Sequence, residues 1–102
     1  MKLILRPNEL ILKAGNARLY QDKQVKGKLI VTTQGIYFIA LKEQYRQFDI
    51  KLIYSEISDL DYFNTFWIIP NGLIIKTKDN KNISLLTTNN RNNWSDLITK
   101  MI

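Results

Sequence analysis

Gly27-Lys28-Leu29-Ile30-Val31-Thr32-Thr33-Gln34-Gly35-Ile36-Tyr37-Phe38 reads as two strands and the turn between them. Leu29 and Val31 share one face of the first strand, and Ile36, Phe38 and Ala40 share one face of the second, because side chains two apart in a strand point the same way. Thr33-Gln34-Gly35 interrupts the apolar text, and Gly35 is expected to supply a positive φ there. Gly27 stands inside a strand, where glycine usually marks a bend or a close backbone approach. A hairpin here makes the chain β-rich and sets a period of two for reading its flanks.

Upstream, Glu9 to Gly15 alternates, with Leu10, Leu12 and Ala14 on one side and Glu9, Ile11 and Lys13 on the other. Gly15-Asn16 is expected to break this strand as a bulge, after which Ala17 to Tyr20 continues it. Gln21 to Gln24 is a polar loop, and the next strand runs from Val25 to Thr32. Downstream, Ile36 to Leu41 leads into a charged loop, Lys42 to Gln47. Phe48 to Tyr54 then alternates, Phe48, Ile50, Leu52 and Tyr54 against Asp49, Lys51 and Ile53. Ser55-Glu56 is a corner, Ile57 to Phe63 a further strand, and Asn64 to Asn71 irregular. Asn71-Gly72 precedes a strand from Leu73 to Lys78, and Asp79-Asn80 is a positive-φ turn closing a hairpin onto Asn82 to Thr88. The reading is mainly β, about seven short antiparallel strands spaced as in a sandwich or barrel.

The period changes at the end. Trp94, Leu97, Ile98 and Met101 form one helical stripe, predicting a helix over about residues 90–101 with Asn89 or Asn90 as its N-cap. So short a helix is marginal alone and must lie on something apolar, naturally an open end of the barrel, with Trp94 as anchor.

All 102 residues fit one domain with one core. There is no cysteine and no histidine, which removes thiolate chemistry, the usual neutral-pH general base and the commonest metal ligands. No catalytic residue, cofactor or metal is implied, and the chain is not read as an enzyme. The apolar run Leu3-Ile4-Leu5 is too short for a signal peptide, and no segment approaches the ~20 apolar residues of a membrane span, so a cytoplasmic location is expected. Richness in Ile, Asn and Lys points to a bacterial source. The net charge is +6, and its surplus lies in the first third: Lys2, Arg6, Lys13, Arg18, Lys23, Lys26 and Lys28 stand against only Glu9 and Asp22. An anionic partner would meet that part of the chain.

Seven antiparallel strands followed by one helix is the order of the pleckstrin-homology-like fold, and four stretches resemble its GRAM branch more narrowly. Pro7-Asn8-Glu9-Leu10-Ile11-Leu12 resembles that family's entry, and Gly27 to Phe38 its signature. Ile53-Tyr54-Ser55-Glu56-Ile57 resembles the strand end and corner that follow, and Pro70 to Lys81 the sixth strand and its hairpin. The resemblance implies a binding module, often at membranes and often for anionic lipid, sometimes for a protein, and it implies no reaction.

Three candidate sites follow. The first is basic. Lipid-binding members commonly carry a Lys on the first strand and a basic-x-basic pair on the second, and Lys13 with Lys26 and Lys28 resembles that arrangement. Lys26 and Lys28 share a strand face, and Arg18 and Lys23 join them around the loop at residues 21–24. The bland reading is a solvated Lys-rich edge that resists strand pairing. The second is apolar: Phe66, Trp67 and Ile68, with Phe63 and Ile69 beside them, could enter a bilayer interface, cover a protein partner or form a homo-oligomer. Phe63 and Ile69 are expected to close the barrel instead. The third is the acidic set Glu56, Asp59 and Asp61, better read as the polar outer face of a strand than as a calcium or acid–base site. Nucleic acid is not the expected partner. Lys28 follows Lys26-Gly27 where the RNA-recognition signature needs an aromatic residue, and only an OB-fold reader stays open. The leading expectation is peripheral association with anionic lipid headgroups at the inner face of the membrane; the alternative is a protein-interaction or self-association module.

Overall fold

The computed structural model describes residues 3–20, 23–65, 69–87 and 91–102. The strands are β1 (Ile11–Tyr20), β2 (Gln24–Thr32), β3 (Gly35–Ala40), β4 (Ile50–Ile53), β5 (Ile57–Thr65), β6 (Ile69–Thr77) and β7 (Asn82–Thr87), followed by helix α1 (Arg91–Met101). All ladders are antiparallel, and the sheet order is β4-β3-β2-β1-β7-β6-β5. Every neighbouring pair is a chain neighbour except β1 and β7, which join the two halves through Ala17 to Leu19. Leu29 and Phe38 from one half, Leu73, Ile75 and Leu85 from the other, and Trp94 and Ile98 from α1 belong to one buried cluster. The sheet therefore curls over itself, and the helix closes the core. The expected seven strands and terminal helix are present.

Several boundaries differ from the sequence reading. β1 is continuous through Gly15-Asn16; the irregularity lies between Ile11 and Lys13, so the bulge falls at Leu12. Gly15 serves a different end: a Cβ there would lie 3.0 Å from Cζ2 of Trp94, so the glycine makes room for the indole. Gly35 does not have a positive φ. A Cβ on it would lie 2.1 Å from the Leu52 carbonyl, so close strand approach selects glycine at this position. The charged stretch after β3 is not a loop but a 3-10 segment, Glu43–Phe48, which trims β4 to four residues, and the following corner is a 3-10 turn, Tyr54–Glu56. The irregular stretch is shorter than expected: β5 reaches Thr65, β6 begins at Ile69, and Gly72 lies within β6 opposite Phe63. Asn80 has the expected positive φ of 67°.

The N-terminal segment is held by a turn. Pro7 and Asn8 occupy its centre, Asn8 has φ 63°, and the Glu9 N–H donates to the Arg6 carbonyl at 3.1 Å. The turn carries Glu9 onto the outer face of β2 and β3, where its carboxylate accepts hydrogen bonds from Thr32 Oγ1, the Tyr37 hydroxyl at 2.9 Å and the Arg6 N–H at 2.8 Å. Glu9 is buried although charged. Burial pushes its carboxyl up, but the bonds from Thr32, Arg6 and Tyr37, with the Arg6 charge, outweigh that and hold it below the ordinary 4.5. Tyr37 moves the opposite way, raised by burial and by its bond to Glu9. Tyr54 donates to the Thr32 carbonyl at 2.6 Å and is pushed up to about 12 by burial and the Glu9 charge. The N-terminal segment thus covers one end of the outer face of β2–β3, over the buried Ile30 and Tyr37, and leaves the other end open.

Candidate functional site

The open end is basic. Register puts Arg18 of β1 across from Lys26 of β2, and Asn16 across from Lys28. Alternation turns these four side chains outward, while Ala17, Leu19, Val25 and Leu29 turn into the core. Arg18, Lys26 and Lys28 line an open groove of about 560 Å³ with Asn16, the end of β3 and Arg46. Among the described residues no carboxylate lines it. A smaller groove of about 290 Å³ continues from it, sharing Lys26 and Leu41 and adding Gln24, Lys42 and Tyr45. Lys23 borders this extension, its ammonium 4.5 Å from the centre of the Tyr45 ring. Arg18 Nη1 donates to Gln24 Oε1 at 3.1 Å, which ties the two grooves together at the β1–β2 end.

Of the five basic residues picked from the sequence, Arg18, Lys23, Lys26 and Lys28 come together. Lys13 does not join them. It sits on the opposite face of β1, with its ammonium 4.9 Å from the centre of the Trp94 ring. The reason is parity: Lys13 is an odd number of residues from Arg18, and the bulge lies before it.

Arg46 belongs to the site and was not picked out in the sequence. The 3-10 segment after β3 carries it back over β3, beside Ala40 and Leu41. Its Nε and Nη1 are shut from solvent and have no hydrogen-bond partner among the described residues. Asp49 caps the end of the same 3-10 segment; its Oδ1 accepts the Ala40 N–H at 2.7 Å, and its Oδ2 has no partner among the described residues. Two guanidinium nitrogens shut from solvent without a partner are costly unless an acceptor reaches them. The signal that could have found Arg46 is topological: antiparallel pairing of β2 and β3 returns the residues after Leu41 to the side of Lys26. The Leu41 N–H donates to the Lys26 carbonyl at 2.9 Å. Chemically the groove offers ammonium point charges and two guanidinium forks, which suits oxyanions carrying more than one charge.

Phe66, Trp67 and Ile68 lie outside the described residues, as do Asn89 and Asn90. Ile69, expected in the core, is 44% exposed. Phe63 is half-buried, packed over Gly72 and 6.3 Å from the Tyr20 ring. The acidic residues do not converge on one point. Glu56 Oε1 accepts the Ile53 N–H, Asp61 pairs with Lys76 at 3.5 Å, and Asp59 Oδ1 accepts the Leu60 N–H. Among the described residues no three acidic side chains gather as metal ligands would, and no helix is long and apolar enough to cross a membrane.

No known family profile matches the chain, and no curated protein matches it. Solved structures do. The C-terminal domain of an unknown protein from Leishmania infantum is similar at 19% identity with a TM-score of 0.79, over 93% of this chain and 85% of that one. The Vps36 N-terminal PH domain is similar at 18% identity with a TM-score of 0.74, over 96% of this chain and 82% of that one. At these identities the likeness concerns backbone alone. With seven curled antiparallel strands and a closing C-terminal helix, the fold of this chain is the pleckstrin-homology-like fold.

Proposed function

We propose that this chain is a non-catalytic binding module of the GRAM type that associates with anionic membrane lipid through the groove between β1, β2 and β3. The observation that carries the reading is the groove lining: Arg18, Lys26, Lys28 and Arg46 line one concavity, and no acidic residue joins them among the described residues. Four cations placed together repel one another, and a polyanion relieves that repulsion. Each basic side chain near an anionic bilayer contributes about 1 kcal/mol, so four give useful and salt-sensitive binding. Fold alone does not assign a ligand, and the proposal rests on the site.

Co-flotation with phosphatidylcholine vesicles, with and without phosphatidylserine, tests it. Binding should require the anionic lipid, weaken with salt, and be abolished by the double variant Lys26→Glu, Lys28→Glu. Vesicle binding that survives the double charge reversal would place the lipid elsewhere. No binding under any condition would favour a protein partner instead.

A further inference from the structure

Leu41 stands at the shared rim of the two basic grooves, one residue past β3, and is 72% exposed. Its backbone is fixed by the bond to Lys26, so the side chain is presented, not merely loose. Around it are Lys26, Lys42 and Tyr45, with Lys23 over the Tyr45 ring. A leucine held out into water costs free energy that an apolar phase would recover. A soluble phosphate compound offers the surrounding cations their counter-charge but gives Leu41 nothing. An anionic bilayer offers both, headgroup phosphates to the lysines and acyl chains to the leucine, and aromatic residues such as Tyr45 sit well at that boundary.

We infer that Leu41 is a membrane-insertion anchor, entering the acyl region of an anionic bilayer while the flanking lysines and the Arg18–Arg46 groove hold headgroup phosphates. This rests on the lipid reading above and deepens it, because it commits the groove to a bilayer surface over a phosphate compound in solution.

The full chain contains no cysteine, so Leu41→Cys can carry a single environment-sensitive dye. Leu10→Cys is the matched control: Leu10 is 66% exposed but lies beside Thr33, at the far end of β2. With phosphatidylserine-containing vesicles, the dye at residue 41 should shift to the blue and be quenched by lipids brominated in their acyl chains, and the dye at residue 10 should do neither. Leu41→Ala should weaken vesicle binding by about tenfold and leave the affinity for inorganic phosphate, read from amide shifts at Gly27, unchanged. Leu10→Ala should bind vesicles as the parent does. If the parent chain binds anionic vesicles while Leu41→Ala binds them equally and residue 41 stays unquenched, the anchor is wrong and the lipid groove stands. If the parent binds phosphate but no vesicle, or binds neither, the anchor falls together with the lipid reading.

Discussion

Arg18 and Lys26 face one another directly across the β1–β2 ladder, two cations in register on one sheet face. Directly opposed like charges destabilise a sheet. The fold tolerates this pair where a Glu or a Gln at either position would serve stability better.

Replacing one partner should separate stability from binding. Lys26→Gln removes the repulsion and keeps most of the aliphatic stem, so it should raise stability by roughly 0.2–1 kcal/mol. The same variant should weaken binding to anionic vesicles. Urea melts and flotation on one preparation check both halves; a variant that is less stable and binds normally would show the pair to be structural.

The Glu9 carboxylate ties the N-terminal segment to Thr32 and Tyr37. Its folded-state pKa lies below the ordinary 4.5, so its contribution is fully present above that value and is lost as the pH falls through the folded-state value. Glu9→Gln should cost about 1.5–3 kcal/mol at neutral pH, the range for hydrogen bonds to a charged group, and should flatten the loss of stability on acidification. Thermal melts from pH 7 down to pH 3 on both proteins check this. Parallel pH profiles would remove Glu9 from the account.

Gly15 and Trp94 make one packing unit. Gly15→Ala places a methyl against the indole and should cost about 1–3 kcal/mol by overpacking. Trp94→Ala empties the largest of the fully buried side chains and should cost about 3–5 kcal/mol. The double variant should cost less than the sum, since an alanine at 15 no longer meets an indole. Denaturant midpoints of the three variants form the cycle; strict additivity would show that the two do not interact.

β5 ends the sheet, and two of its amides are held by its own aspartates: the Leu60 N–H donates to Asp59 Oδ1 and the Tyr62 N–H to Asp61 Oδ1, each at 2.8 Å. Edge strands with free donors invite pairing with another chain. Asp59→Ala with Asp61→Ala should free both amides and cause concentration-dependent association in sedimentation velocity. Asp59→Asn with Asp61→Asn keeps the acceptors without the charge, so it should stay dispersed if capping protects the edge and associate if charge does.

The sequence by itself determined the strands, the hairpins and the terminal helix, because these follow from local periodicity and turn chemistry. Leu29, Val31, Ile36 and Phe38 announce buried alternation, Asp79-Asn80 a tight turn, and Trp94, Leu97, Ile98 and Met101 a helical stripe. It also determined the basic pair Lys26 and Lys28, whose shared face is a matter of parity within one strand. Tertiary structure alone decided the rest. That Lys13 faces away from Arg18 follows from the unbroken β1–β2 register between them, where the sequence suggests a bulge at Gly15-Asn16. Gly15 and Gly35 are required by atoms of Trp94 and Leu52, distant in sequence. Glu9 looks like an outward strand residue until the Pro7-Asn8 turn carries it under Tyr37. Arg46 and Leu41 join the groove only because β3 runs back along β2. Local pattern fixes which way a side chain points from its own backbone; which other side chains it meets depends on contacts between segments far apart in the chain.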